Sequence, residues 1–135
     1  MELNKAVQVG NKTIGEGHPV FVVVELGVCH EQNIDVAKHF IDVAKENGAD
    51  AVKVEAFRAD DFVSDKAIMH TYGTAEGIVE ENYYQLLKRL ELSFEQVADI
   101  KKYADDILNY IIGENIPADL PQQIVDGVTR WCDIR

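Results

Sequence analysis

Apolar positions along this chain switch repeatedly between a period of two and a period near 3.6. Val7 and Val9 alternate with polar residues, Gly10-Asn11 has turn chemistry, and Thr13-Ile14 starts a return. This pattern predicts an opening β-hairpin. The loop Gly15-Glu16-Gly17-His18-Pro19 interrupts it, and Pro19 to Val24 then forms a β-branched run, apolar on both faces, that ends at Glu25. Such a run predicts a buried parallel strand. From Asn33 to Asn47 the period lengthens. Val36, Phe40, Val43 and Ala44 recur at helical spacing, with Ala37 and Ile41 beside them. Asn33 suits an N-cap and Gly48 a C-terminal stop, so a helix is predicted between them. Ala51 to Val54 reads as the next strand. Strand, helix and strand in so short a span make a βαβ unit with a parallel pair.

The pattern is weaker further on. Residues 57–82 show little periodicity and read as a long irregular loop. Tyr83, Leu86, Leu87 and Leu90 share one face of a short helix. Ser93 and Gln96 have the spacing of a capping box. They open a further helix with Val97, Ile100, Tyr103 and Ala104 inward. Ile107 to Ile112 could extend that helix or form a third strand. Asp119 to Trp131 fits a last helix, with Pro121 in its first turn and Ile124, Val125, Val128 and Trp131 in an apolar stripe.

The fold class expected from this order is α/β: a partial TIM-type (β/α) barrel with an N-terminal β-hairpin, parallel strands and amphipathic helices. Residues 1–106 are expected to form the barrel-like part. Residues 107–135 are expected to be a divergent, helical C-terminal segment packed on the same domain.

Composition narrows the function classes. The 135 residues suit one domain, and 47% hydrophobic with 27% charged residues is the balance of a globular protein. The net charge of −11 gives no electrostatic footprint for nucleic acid or for an anionic membrane. The start of the chain does not resemble a signal peptide, and Val20 to Val24 is too short to span a bilayer. A cytoplasmic location is therefore expected. Cys29 and Cys132 make neither a disulfide framework nor a metal spacing.

Two positions stand out as candidate chemistry. Glu25 follows the first apolar strand and Lys53 lies near the end of the second. In parallel sheets the carboxyl ends of strands are where ligands bind. Glu25 and Lys53 would then share one rim, within reach of a small anionic substrate. A charged residue inside an apolar strand needs a partner. A purely structural salt bridge from Lys53 to Glu25 or Glu55 is the competing explanation. His30, just past Glu25 in the first strand-to-helix loop, falls on the same rim. His18, His39 and His70 show no metal spacing with it or with one another. Gly15-Glu16-Gly17 is not a phosphate loop, because no Lys-Ser or Lys-Thr follows. The pairs Asp60-Asp61, Glu80-Glu81 and Asp105-Asp106 read as solvated faces and helix ends.

The stretch from Ile14 to His30 contains Val-Glu-Leu-Gly-Val-Cys-His. It resembles the opening of the sialic acid synthase family, whose first barrel strand ends in a Glu-Ile-Gly-Ile-Asn-His-like motif. Ala37 to Phe57 is similar to the first helix and second strand of that family, and Tyr84 to Ser93 to the segment before its next helix. Together the resemblance covers about residues 7 to 104. Glu55, Ala56 and Cys29 stand where the family usually has Gln, Thr and Asn.

The resemblance implies a (β/α)₈ barrel that condenses phosphoenolpyruvate with N-acetylmannosamine or a related amino sugar. It implies that Glu25 contacts the sugar as the catalytic carboxylate and that Lys53 binds phosphoenolpyruvate. His30 and Glu55 complete the expected substrate-binding set. A divalent metal, manganese or magnesium, is implied as cofactor, with its ligands in barrel segments outside this sequence. A homo-oligomer or a second chain is expected to complete the barrel. The alternative is a non-catalytic ligand-binding or regulatory relative that keeps only the front of the active-site rim.

Overall fold

A computed structural model describes residues 6–105, together with the backbone of 109–112 and 129–130. Strands β1 (Ala6–Val9) and β2 (Lys12–Gly15) pair antiparallel around Gly10, which has a φ of 56°. That left-handed turn conformation favours glycine. Val9 is buried, and Lys12 of this ribbon pairs with Asp50 at 3.2 Å.

The central element is a parallel sheet in the order β3-β4-β7-β8, made of β3 (Val23–Gly27), β4 (Ala51–Val54), β7 (Asn109–Ile112) and β8 (Thr129–Arg130). Helix α1 (Ile34–Glu46) connects β3 to β4. Asn33 caps it, its side chain accepting from the Asp35 and Val36 amides, and Gly48 follows with a φ of 82°. Helix α4 (Phe94–Asp105) leads into β7. Its capping box is closed at both ends: the Ser93 amide donates to Gln96 Oε1 at 2.9 Å, and the Gln96 amide donates to Ser93 Oγ at 3.2 Å.

Ala37, Ile41 and Ala44 of α1, with Val97, Ile100 and Ala104 of α4, bury one face of the sheet with Leu26, Val52 and Val54. The two helices are also tied side by side. Lys38 Nζ lies 2.8 Å from Asp99, and the Tyr103 hydroxyl donates to Asp42 at 2.8 Å.

The first strand begins later than the apolar run predicts. Pairing starts at Val23↔Ala51. Ahead of that register, Val20 is 85% exposed and Val22 46% exposed. The reason is local: the Val22 amide donates to the Asp50 carboxylate, and the Val22 carbonyl accepts from the Asp50 and Ala51 amides. The turn before β4 therefore caps the chain at Val22.

A second correction concerns α1. It carries two overlapping apolar stripes, and the sheet takes the one with the two alanines. Small side chains let the helix approach closely, and Val36, Phe40 and Val43 are left exposed.

The expected long loop is in fact structured. It contains a single turn, α2 (Ala59–Phe62), and an antiparallel ribbon of β5 (Met69–Thr74) and β6 (Gly77–Asn82) that leads directly into α3 (Tyr83–Leu90). Of the alternatives for residues 107–112, the strand holds: β7 pairs parallel with β4, Val52 facing Tyr110 and Lys53 facing Ile111 in register. The helix expected over Asp119–Trp131 lies mostly outside the described residues. Within it, Thr129–Arg130 is the short strand β8, which corrects the expected helix at those two residues.

Candidate functional site at the strand ends

Glu25 and Lys53 are register partners in the β3–β4 pair, so their side chains leave the same face of the sheet. This is the face opposite α1 and α4, because Val52 and Val54 alternate with Lys53 and enter the helical core. Glu25 lies inside β3, one residue before the irregularity between Glu25 and Gly27.

Lys53 is 8% exposed, and its ammonium lies 2.9 Å from Glu25 Oε1 and 3.7 Å from Glu55 Oε1. The Glu25 side chain is 53% exposed. The pair thus joins a buried cation to a solvent-facing carboxylate. A buried lysine demands this kind of pairing. The structural salt bridge and the candidate binding group are the same arrangement.

Glu55 is the second acid beside the ammonium and also contacts Glu25. Partial burial pushes its carboxyl upward, Lys53 opposes this, and the charge and hydrogen bond of Glu25 push it up further. Two carboxylates around one ammonium resist carrying full charge together.

His30 is placed differently from the expectation that it faces substrate. It is 1% exposed. Its Nδ1 accepts from the Gln32 amide at 3.0 Å, and the ring hydrogen-bonds to the Gly27 backbone. Burial lowers its pKa, more than the Gly27 contact raises it. The imidazole is thus a neutral brace across the β3–α1 loop. Gly27, Glu31 and Gln32 in that loop have φ values of 52°, 46° and 63°. Positive φ at two consecutive non-glycine residues is strained, and strain of this kind gathers at ligand-binding loops.

Asp50 was not singled out by sequence reasoning. It joins the loop before β4 to the Val22 amide at 2.9 Å and to Lys12 of the hairpin at 3.2 Å. Its only sequence signal is its position between Gly48 and a strand, a common one for turn residues. Asp60, of the Asp60-Asp61 pair, is a second such tie. It gathers Lys66, Lys88 and the Tyr84 hydroxyl, which hold its carboxyl down to about 2. Asp60 and Asp61 are both exposed, as that reading expects, and Asp60 also ties α3 and the Lys66 segment to α2.

Among the described residues, no group of three or more His, Cys, Asp or Glu side chains could hold a metal ion. The described residues therefore do not furnish the divalent metal that the resemblance implies. No helix among them is long and apolar enough to cross a membrane.

Known proteins share the sequence and fold of this chain. The spore coat polysaccharide biosynthesis protein SpsE of Bacillus subtilis is 36% identical over 99 residues, covering 73% of this chain and 26% of its own length. Its crystal structure superposes with a TM-score of 0.62 at 28% identity, over 90% of this chain and 32% of that one. Human N-acetylneuraminate-9-phosphate synthase is 32% identical over 94 residues, 70% of this chain and 26% of its own. The N-acetylneuraminic acid synthetase of Leptospira borgpetersenii shares the fold, with a TM-score of 0.69 at 19% identity, over 90% of this chain and 38% of that one. The chain spans about a quarter of the length of the curated relatives it matches. Residues 40–110, more than half of the chain and including Lys53 and β4, match the NeuB family. The chain belongs to the NeuB family.

Proposed function

We propose that this chain forms the front of a sialic acid synthase-like (β/α)₈ barrel that condenses phosphoenolpyruvate with an N-acetylated amino sugar. The observation that carries this reading is the Glu25–Lys53 pair on the open face of a parallel sheet. Lys53 is the anion site. Its buried ammonium is fixed in place, which suits a carboxylate or phosphate oxygen. Glu25, half exposed beside it, orients a sugar hydroxyl or moves its proton.

The local charge must permit an anion. With Glu25 and Glu55 both ionised, the ammonium would be outweighed. Burial and the neighbouring Glu25 disfavour the charge on Glu55, while Lys53 favours it. His30 acts through the loop, holding the chain after Glu25 in its strained course.

In the complete barrel, further βα units cover the edge of this sheet and supply the metal ligands. The wound order of the sheet supports this, as do the exposed Val36, Phe40 and Val43 beside β3, which is an edge strand among the described residues. An exposed parallel edge flanked by an apolar helix face is what a neighbouring βα unit covers.

The test is phosphate release from phosphoenolpyruvate and N-acetylmannosamine with manganese, alongside light scattering. Turnover by an assembled species, lost in Glu25→Gln, supports the reading. A strict monomer that neither turns over nor binds phosphoenolpyruvate contradicts it.

A further inference from the structure

The carboxylate of Glu91 is placed against the preference of its own helix. Glu91 is the C-cap of α3, and a negative charge there opposes the helix dipole. Lys88, one turn earlier, offsets it at 2.7 Å. The other carboxylate oxygen reaches away from α3: Glu91 Oε2 accepts from the Ala59 amide at 2.9 Å, in a partly buried contact. Ala59 opens α2, whose N-cap is Arg58. A guanidinium carries only donors, so it cannot cap an amide. Glu91 supplies that cap from a distant part of the chain, at the helix end where a carboxylate is favoured.

The backbone of the same residue makes a second tie. The Glu91 carbonyl accepts from Gln32 Nε2 at 2.7 Å, and the Gln32 carbonyl in turn accepts from Gln96 Nε2 at 3.4 Å. Gln32 closes the positive-φ pair Glu31–Gln32 in the β3–α1 loop. Strained backbone of this kind persists only where surrounding contacts hold it. Leu92, the next residue, is buried in the core between the helices and the sheet, so the backbone at Glu91 has a firm anchor.

Glu91 therefore joins two segments that leave the parallel sheet at the same end. One follows β3 and Glu25, and the other follows β4, Lys53 and Glu55. The strand register alone does not fix the three charged side chains. The β3–β4 pairing is irregular directly after Glu25, and Glu55 lies just past the end of β4. Ala56, Phe57 and Ala59 are buried, so the stretch from Glu55 to its tie is short and packed.

We propose that Glu91 is a positioning residue for the Glu25–Lys53–Glu55 group: its carbonyl holds the segment after β3, its carboxylate holds the segment after β4, and the two are thereby locked to each other. Glu91 acts through these segments. The role deepens the reading above and rests on it for Lys53 as the phosphoenolpyruvate site.

Hydrogen exchange of the full chain, resolved by mass spectrometry over residues 27–33 and 55–63, tests the role together with calorimetric titration of phosphoenolpyruvate. Glu91→Ala is expected to speed exchange at least about fivefold in both segments. It should weaken phosphoenolpyruvate at least about threefold, because the ammonium and its two acids lose their fixed geometry. Glu91→Gln keeps an acceptor for the Ala59 amide and should rescue both readouts to within about twofold of wild type. Lys88→Met removes the ion pair but neither tie, and should behave like Glu91→Gln, which separates positioning from the loss of a salt bridge. Ala59→Pro breaks the same hydrogen bond from the donor side and serves if Glu91→Ala does not fold. Arg58, at φ −116° and ψ 129°, has the extended backbone that precedes proline, and the first helical position accepts it. Ala59→Pro should match Glu91→Ala. Four results overturn the role: unchanged exchange, faster exchange confined to residues 55–63, unchanged phosphoenolpyruvate affinity in Glu91→Ala, or a Glu91→Gln chain as loose as Glu91→Ala. The expected exchange without phosphoenolpyruvate binding by the wild type upholds the locking of the segments and contradicts the proposed reaction. Binding that depends on Lys53, with exchange unchanged in Glu91→Ala, does the reverse.

Discussion

Lys53 faces Glu25 across the parallel β3–β4 pair, and its ammonium lies 2.9 Å from the Glu25 carboxylate. The register between two strands thus fixes a charge pair on the open face of the sheet. Glu55, at 3.7 Å, makes it a triad of one cation and two acids.

Glu55 is the second acid that opposes anion binding, and its carboxyl is pushed upward by burial and by Glu25. A carboxyl raised on folding contributes stability below its unfolded pKa, near 4.5, and loses it as pH rises through the folded value. At neutral pH, Glu55→Gln should therefore be neutral or slightly stabilising in urea titrations. It should tighten phosphoenolpyruvate binding about fivefold, roughly 1 kcal/mol, by removing one partly screened negative charge beside Lys53.

His30 gives the opposite sign. Its imidazole is held neutral by burial, with Nδ1 occupied by the Gln32 amide. A base lowered on folding contributes stability fully above its unfolded pKa, near 6.5, and that stability is lost as pH falls toward the folded value. Urea midpoints should fall as pH drops below about 6.5 in the wild-type chain. His30→Asn keeps an acceptor for the Gln32 amide and should flatten that dependence.

Asp50 joins three pieces: the β4 turn, the Val22 amide and Lys12 of the hairpin. Asp50→Ala should cost about 1–2 kcal/mol in denaturant unfolding, because it leaves the Val22 amide without its acceptor. Hydrogen exchange should quicken first in β1–β2. The carboxyl is lowered by the Val22 amide and then by Lys12, though desolvation opposes them. Its contribution is present above about pH 3.8 and fades as pH falls below that.

The parts legible in the sequence are those where one physical pattern dominates. Asn33, Ser93 and Gln96 mark their helices because capping is local chemistry. Glu25 and Lys53 could be placed on one rim because charges at the ends of apolar strands are conspicuous. The start of β3 was hidden, because the β-branched run continues upstream while the Val22–Asp50 contacts set the register. The exposed stripe of α1 was hidden for a related reason: Val36, Phe40 and Val43 outweigh Ala37 and Ala44 in hydrophobicity, yet close packing selects the alanines. The β5–β6 ribbon is exposed along most of its length, so it has no alternating face to read. His30 looked like a rim residue because sequence gives its position in the loop but not the direction of its ring.

The central claim is that Lys53 is an anion-binding group and not merely a salt-bridge partner. Calorimetric titration of phosphoenolpyruvate into the wild-type chain and into Lys53→Met tests it most directly. Met keeps the length and apolar stem of the side chain, so the sheet should stay folded. The account predicts saturable binding in the wild type that weakens at least about tenfold in Lys53→Met. Equal binding in the two proteins, or no binding in either, would contradict it.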